Sequence, residues 1–150
     1  MQTEGFLAPE TPGEVHETFA SLAPVAREVT RAVARASSAD TEGYRERVGD
    51  SVVETAHEAL FGSLLIVWTA DRETFEQWCD RPANAPLDVR VEGGDHVENI
   101  AWHVAPATDH VIAATYEDQR EAAVSTVRRI AWGRIYRELI TREDSANFEP

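Results

Sequence analysis

The sequence predicts an α+β domain: a four-stranded antiparallel or mixed sheet with several helices packed on one face and a long C-terminal helix. Three observations carry this expectation. Apolar residues recur at helical spacing up to Gly62. Between Leu64 and Tyr116 the pattern changes to continuous or alternating apolar runs. From Glu117 onward the helical spacing returns and persists to about Arg142.

The elements follow in order. Residues 1–10 read as a flexible lead-in. Thr11-Pro12-Gly13-Glu14 supplies a capping residue, a proline at the first helical position and an acidic first turn, so a helix runs from Pro12 to about Leu22. Pro24 opens a second helix to Ala36, with Val25, Val29, Ala32, Val33 and Ala36 as its apolar stripe. Ser37-Ser38-Ala39-Asp40 ends it and caps a short polar helix, Thr41 to Val48. Gly49-Asp50-Ser51 then starts a helix from Val52 to Gly62, with Val52, Val53, Ala56, Ala59, Leu60 and Ser63 on one face.

Leu64-Leu65-Ile66-Val67-Trp68 reads as a central strand buried on both sides. Asp71 caps a helix to Asp80 that turns Phe75, Trp78 and Cys79 inward. Leu87 to Glu92 alternates, as a strand with one wet face does. Gly93-Gly94 is a turn, and Val97 to Ala105 and His110 to Tyr116 are two further strands. A three-stranded antiparallel meander is the simplest arrangement of these last three. In the final helix Ala123, Val124, Val127, Ile130, Ala131, Ile135 and Leu139 form the stripe, and Gly133 marks a close contact with a neighbouring element. Residues 11–142 thus form the single domain and 143–150 an acidic tail.

Composition narrows the environment. The 150 residues carry 27 acidic against 14 basic side chains, a formal charge of −13, and every basic residue is arginine. Carboxylates keep a surface hydrated when molar salt screens their repulsion to about 3 Å, and arginine is the less hydrated, bidentate cation. The joint signal predicts a protein adapted to a salt-rich cytoplasm. The charge disfavours nucleic acid and anionic membranes as partners. The opening residues lack the basic and apolar regions of a signal peptide, and the longest apolar run is too short to span a bilayer. One cysteine, Cys79, excludes an internal disulfide.

The charge is unevenly spread. Residues 119–142 carry six arginines against two glutamates, a local +4 that leaves −17 for the remainder. Arg27, Arg31 and Arg35 recur every four residues along one helix face. They suit pairing with Glu42, Glu46, Glu54 and Glu58, or an anionic ligand.

No sequence motif points to catalysis. There is no Gly-x-Ser-x-Gly and no glycine-rich phosphate loop, so no catalytic residue and no cofactor are predicted. Glu54 and His57 form a single Glu-x-x-His unit, whereas ferritin-like sites use two. His103 and His110 flank the proposed hairpin loop and face each other across it, with His96 near the preceding turn; these three are the candidate metal ligands. Trp132 lies beside the main stripe of the last helix. With Tyr136 and Arg129 it makes a candidate self-association surface.

The stretches GFLAPETPGE, YRERVGDSVVETAHEALFGSLLIV and ATYEDQREAAVSTVRRIAWGRIYRE resemble a haloarchaeal family of conserved proteins of unknown function, across nearly the whole chain. The resemblance implies a haloarchaeal source and a single domain, and it brings no activity. The expectation is therefore a cytoplasmic interaction or regulatory module, non-catalytic, whose partner is itself or another protein. The alternative is a small enzyme or ligand-binding protein with a pocket between helices and sheet, lined by His57, Glu54 and the Arg27, Arg31 and Arg35 row.

Overall fold

The computed structural model describes residues 1–37 and 41–147. The expected cap at Ser38, Ala39 and Asp40 and the last three residues of the acidic tail lie outside the described residues. The order is β1 (Gln2–Glu4), α1 (Pro12–Ser21), α2 (Ala23–Ser37), α3 (Thr41–Arg47), α4 (Asp50–Ser63), β2 (Val67–Asp71), α5 (Arg72–Cys79), a short 3₁₀ turn (Pro82–Asn84), β3 (Asp88–Glu92), β4 (Asn99–Ala105), β5 (His110–Tyr116), α6 (Arg120–Ala131), a π turn (Trp132–Tyr136) and α7 (Arg137–Asn147). The α+β class stands. The sheet has five strands rather than four, in the order β1-β2-β4-β5-β3.

The additional strand comes from the expected flexible lead-in. Gln2, Thr3 and Glu4 pair antiparallel with Thr69, Trp68 and Val67. Gly5 then turns at φ 102°, and a Cβ there would stand 2.4 Å from the Leu65 carbonyl oxygen. Only glycine accommodates that approach. It delivers Leu7 to a further bridge with Leu65. Glu4 is fixed from the other side by Arg120, at 2.7 Å.

β4 and β5 form the expected antiparallel hairpin, from Asn99↔Tyr116 to Ala105↔His110. The meander does not continue. β3 pairs with β5, in parallel, from Asp88↔His110 to Glu92↔Ala114. The link from β3 must therefore pass the end of β5 to reach β4. Gly93 permits this: its φ is 113°, and a Cβ would lie 1.9 Å from the Thr115 hydroxyl oxygen. β3 becomes a largely exposed edge strand, which is why its sequence alternates. The central β4 and β5 are buried along most of their length.

β2 begins at Val67, three residues later than predicted, because α4 continues to Ser63 and Leu64 caps it. Asp71 ends β2 and caps α5, accepting from the Thr74 amide at 2.7 Å; that bond holds the Asp71 carboxyl below the usual carboxylate range.

Helices cover both faces of the sheet, not one. On one face, Val67, Ala101, Ala105, Ile112 and Ala114 meet Val15, Phe61, Val124, Val127, Ala131, Tyr136 and Ile140. On the other, α5 packs Phe75 and Trp78 over Trp102, with ring centroids 4.9 and 5.8 Å from the Trp102 ring. This second core needs cover because Ile100, Trp102, Val111 and Ala113 point away from α6.

α2 reverses an expectation. Its buried face is Ala26, Thr30 and Ala34, while Val25, Val29 and Val33 are 46, 48 and 61% exposed. Small side chains let α2 approach α4 closely, and Thr30 satisfies its own hydroxyl by donating to the Ala26 carbonyl at 2.7 Å. The last helix is interrupted by the π turn and extends to Asn147, into the predicted tail. No helix among the described residues is long and apolar enough to cross a membrane.

Candidate functional site

The π turn, the β4–β5 hairpin and β3 meet around a cleft of about 450 Å³. Arg90 enters from β3. Thr108 and His110 come from the hairpin turn and the start of β5, and Ile112 from β5 itself. Gly133, Arg134 and Ile135 belong to the π turn, and Glu138, Leu139 and Arg142 to α7. A π turn inserts one residue into a helical run, and such insertions recur at functional sites. Here it carries Arg134 to the cleft while Tyr136 points into the core. Gly133 does not make the expected close contact: a Cβ there would meet nothing within 4 Å.

Three arginines face one carboxylate, Glu138, inside this cleft. Arg142 binds Glu138 at 2.5 Å. Arg134 reaches Glu92 only at 4.0 Å, and Arg90 has no ion pair among the described residues. His110 approaches Asp88 through Nε2 at 3.6 Å. Four buried side-chain polar atoms lack a hydrogen-bond partner among the described residues, and two of them, Thr108 Oγ1 and His110 Nδ1, belong to residues lining this cleft. Buried polar groups are normally paired. A cationic concavity with unpaired polar atoms in its wall is built to accept a ligand rather than to close on itself.

Behind the cleft lies a sealed polar pair. His103 is fully buried. Its Nδ1 is 2.6 Å from the Ile66 carbonyl oxygen and its Nε2 is 2.5 Å from the Tyr136 hydroxyl. A carbonyl only accepts, so Nδ1 carries the proton and Nε2 accepts from Tyr136. Burial lowers the imidazole pKa to about 4, assisted by the charge of Arg128 and opposed by the Ile66 hydrogen bond. Burial also raises the Tyr136 pKa well above its ordinary value. Both groups are neutral at physiological pH.

The sequence-predicted residues fall in several places. Arg27, Arg31, Glu54 and His57 do line one cleft, of about 380 Å³, but it lies between α2 and α4 rather than between helices and sheet. Arg35 lies outside it. His57 is committed to packing: its ring stacks on Phe19 at 3.7 Å and its Nε2 donates to the Phe19 carbonyl at 2.6 Å. Arg27, Arg31 and Arg35 are exposed and have no ion pair among the described residues.

The three candidate metal ligands are not brought together. His103 pairs across the hairpin with Ile112, and His110 with Ala105, so the two imidazoles do not face each other. Both ring nitrogens of His103 are engaged, and His96 lines a separate acidic cleft near Asp71 and Asp95. Among the described residues no group of three or more His, Cys, Asp or Glu side chains is placed to hold a metal.

The aromatic anchors expected at an interface are interior. Trp132 is 9% exposed and Tyr136 fully buried. Trp132 packs against Phe19 and Phe61, at 5.7 and 5.6 Å, so only Arg129 of that trio is exposed. The inserted π residue explains this, because it rotates the following turn relative to an ideal 3.6-residue period.

Residues 6–137, nearly the entire fold with this cleft's hairpin and π turn, match a family of unknown function, DUF5809. The chain belongs to that family. No curated protein and no solved structure matches it. The match to DUF5809 covers Arg90, Thr108, His110, Gly133 and Arg134 and stops before Glu138 and Arg142, so it includes most of the cleft.

Proposed function

We propose that the chain is a non-catalytic interaction module that self-associates, and that the contact runs through α2 and the start of α4. The observation that carries this reading is the exposed row of Val25, Val29 and Val33, continued by Val52 on α4. Together with Thr30, Ala34 and Ala56, the last two valines of the row and Val52 line an apolar groove of about 460 Å³. Contiguous exposed apolar surface of this kind marks interaction sites.

Charge complementarity favours a second copy as the occupant. Glu28 and Arg35 flank the valine row on the same side of the helix, two turns apart. Packed antiparallel about a two-fold axis, with Val29 of one copy level with Val33 of the other, Glu28 stands within about 1.5 Å in axial height of Arg35 in the second copy. Symmetry makes that pair twice. Neither residue has an ion pair within its own chain among the described residues.

Light scattering in molar potassium chloride tests it. The expected mass is twice 16.7 kDa, falling to the monomer in Val29→Asp and Val33→Asp, both at exposed positions that leave the fold intact. A wild-type monomer across the accessible concentration range overturns the reading.

The same reading places the protein in the salt-rich cytoplasm of a haloarchaeon, supported by the charge of −13 and the absence of lysine. Its melting temperature is then expected to rise as potassium chloride increases from millimolar to molar, because screening relieves carboxylate repulsion and salt strengthens apolar burial. A melting temperature unchanged or falling over that range removes this assignment.

A further inference from the structure

We infer that the cleft between β3, the β4–β5 hairpin and the π turn binds a small phosphorylated compound. This goes beyond self-association and does not depend on it, since the residues lining the cleft and the α2 valines are distinct sets.

Three features converge. First, the cleft concentrates Arg90, Arg134 and Arg142 around the single carboxylate of Glu138, an excess of positive charge on a strongly acidic chain. Second, Thr108 Oγ1 and His110 Nδ1 are buried and unpaired. A bound anion bearing hydroxyl groups satisfies both, since a threonine hydroxyl donates or accepts and an imidazole nitrogen does either according to tautomer. Third, Gly133 leaves its part of the wall empty. Glycine inside a helical run costs stability relative to alanine, yet no neighbouring atom here requires it. The space it opens lies in the cleft.

The number of donors selects the class of anion. A carboxylate presents two oxygens and one charge, which one arginine fork saturates. A phosphate monoester presents three terminal oxygens and a charge near −2. That demand suits Arg90, Arg134 and Thr108 acting together. Arg142 is already tied to Glu138 and is positioned to complete the charge when that carboxylate yields. The volume of about 450 Å³ holds a small organic ester and is at the low end for ligand clefts generally.

Isothermal titration in molar potassium chloride, where non-specific ion attraction is screened, tests the assignment. The probes are inorganic phosphate, glycerol phosphate, sulfate and succinate. Glycerol phosphate is expected to bind saturably at one site per chain, more tightly than sulfate or succinate. Arg134→Gln should weaken it tenfold or more and Thr108→Val several-fold. Gly133→Leu fills the empty wall without removing a polar group and should abolish binding, with its melting temperature at or above that of the wild type. Succinate binding tighter than either phosphate overturns the class of ligand. Absence of saturable binding by any probe, or binding indifferent to Gly133→Leu, overturns the site.

Discussion

Phe61→Ala is expected to destabilise the protein by about 3–5 kcal/mol, the cost of deleting a buried aromatic ring and leaving a void. Phe61 is fully buried and stands where α1, α4 and the π turn meet, with ring centroids 5.8, 5.6 and 5.3 Å from Phe19, Trp132 and Tyr136. Its neighbours are large rings fixed by one another, so the site cannot collapse around the missing side chain. Native domains are stable by only about 5–15 kcal/mol, so this one change removes a large share of the total. Denaturant titration in molar salt measures it. A loss below about 1 kcal/mol would mean that the aromatic layer is not packed as described.

Acidification should be the second large effect. His103 is held neutral with its pKa lowered to about 4, whereas an unfolded imidazole titrates near 6.5. Between these values the unfolded chain binds the proton and the folded chain does not. Stability from this group is therefore fully present above about pH 6.5 and declines as pH falls toward 4, by roughly 3 kcal/mol in all. Unfolding free energies across that range give the slope, and a proton-detected titration of the imidazole assigns it. A His103 ring that protonates in the ordinary imidazole range refutes the prediction. Tyr136→Phe removes the hydroxyl that donates to Nε2 and is expected to cost a further 1–3 kcal/mol, about the penalty for a buried acceptor left unpaired.

Local physics made much of this fold legible. The Thr11-Pro12 start, the Asp71 cap and the alternation before Gly93 each act through residues adjacent in sequence, and each element is present. What escaped depends on distant partners. Gln2-Thr3-Glu4 has no strand pattern, and its strand exists because β2 offers a free edge and Arg120 holds Glu4. α2 carries two apolar strips, one of valines and one of alanines and a threonine. Hydrophobicity favours the valines, whereas close approach to α4 selects the smaller set. The π turn is invisible to a fixed period, and it moved Tyr136 from an expected surface to the core. The cleft left no motif because its polar residues come from β3, a hairpin turn, the π turn and α7. Three arginines far apart in sequence look like ordinary surface charge. Thr108 and His110 acquired meaning only once both were found buried and without partners.

The short first strand also has a consequence for the order of folding. Gln2 pairs with Thr69, so closing that ladder gathers nearly half the chain into one loop, and its entropic cost must be met before the three-residue strand returns any contact. α4, β2 and the β4–β5 hairpin can assemble without it. β1 should therefore dock late and detach early, its amides exchanging with solvent faster than those of β4 and β5. Each detachment releases Arg120 and Arg128 from Glu4, so the first tie to loosen also exposes two cations of α6.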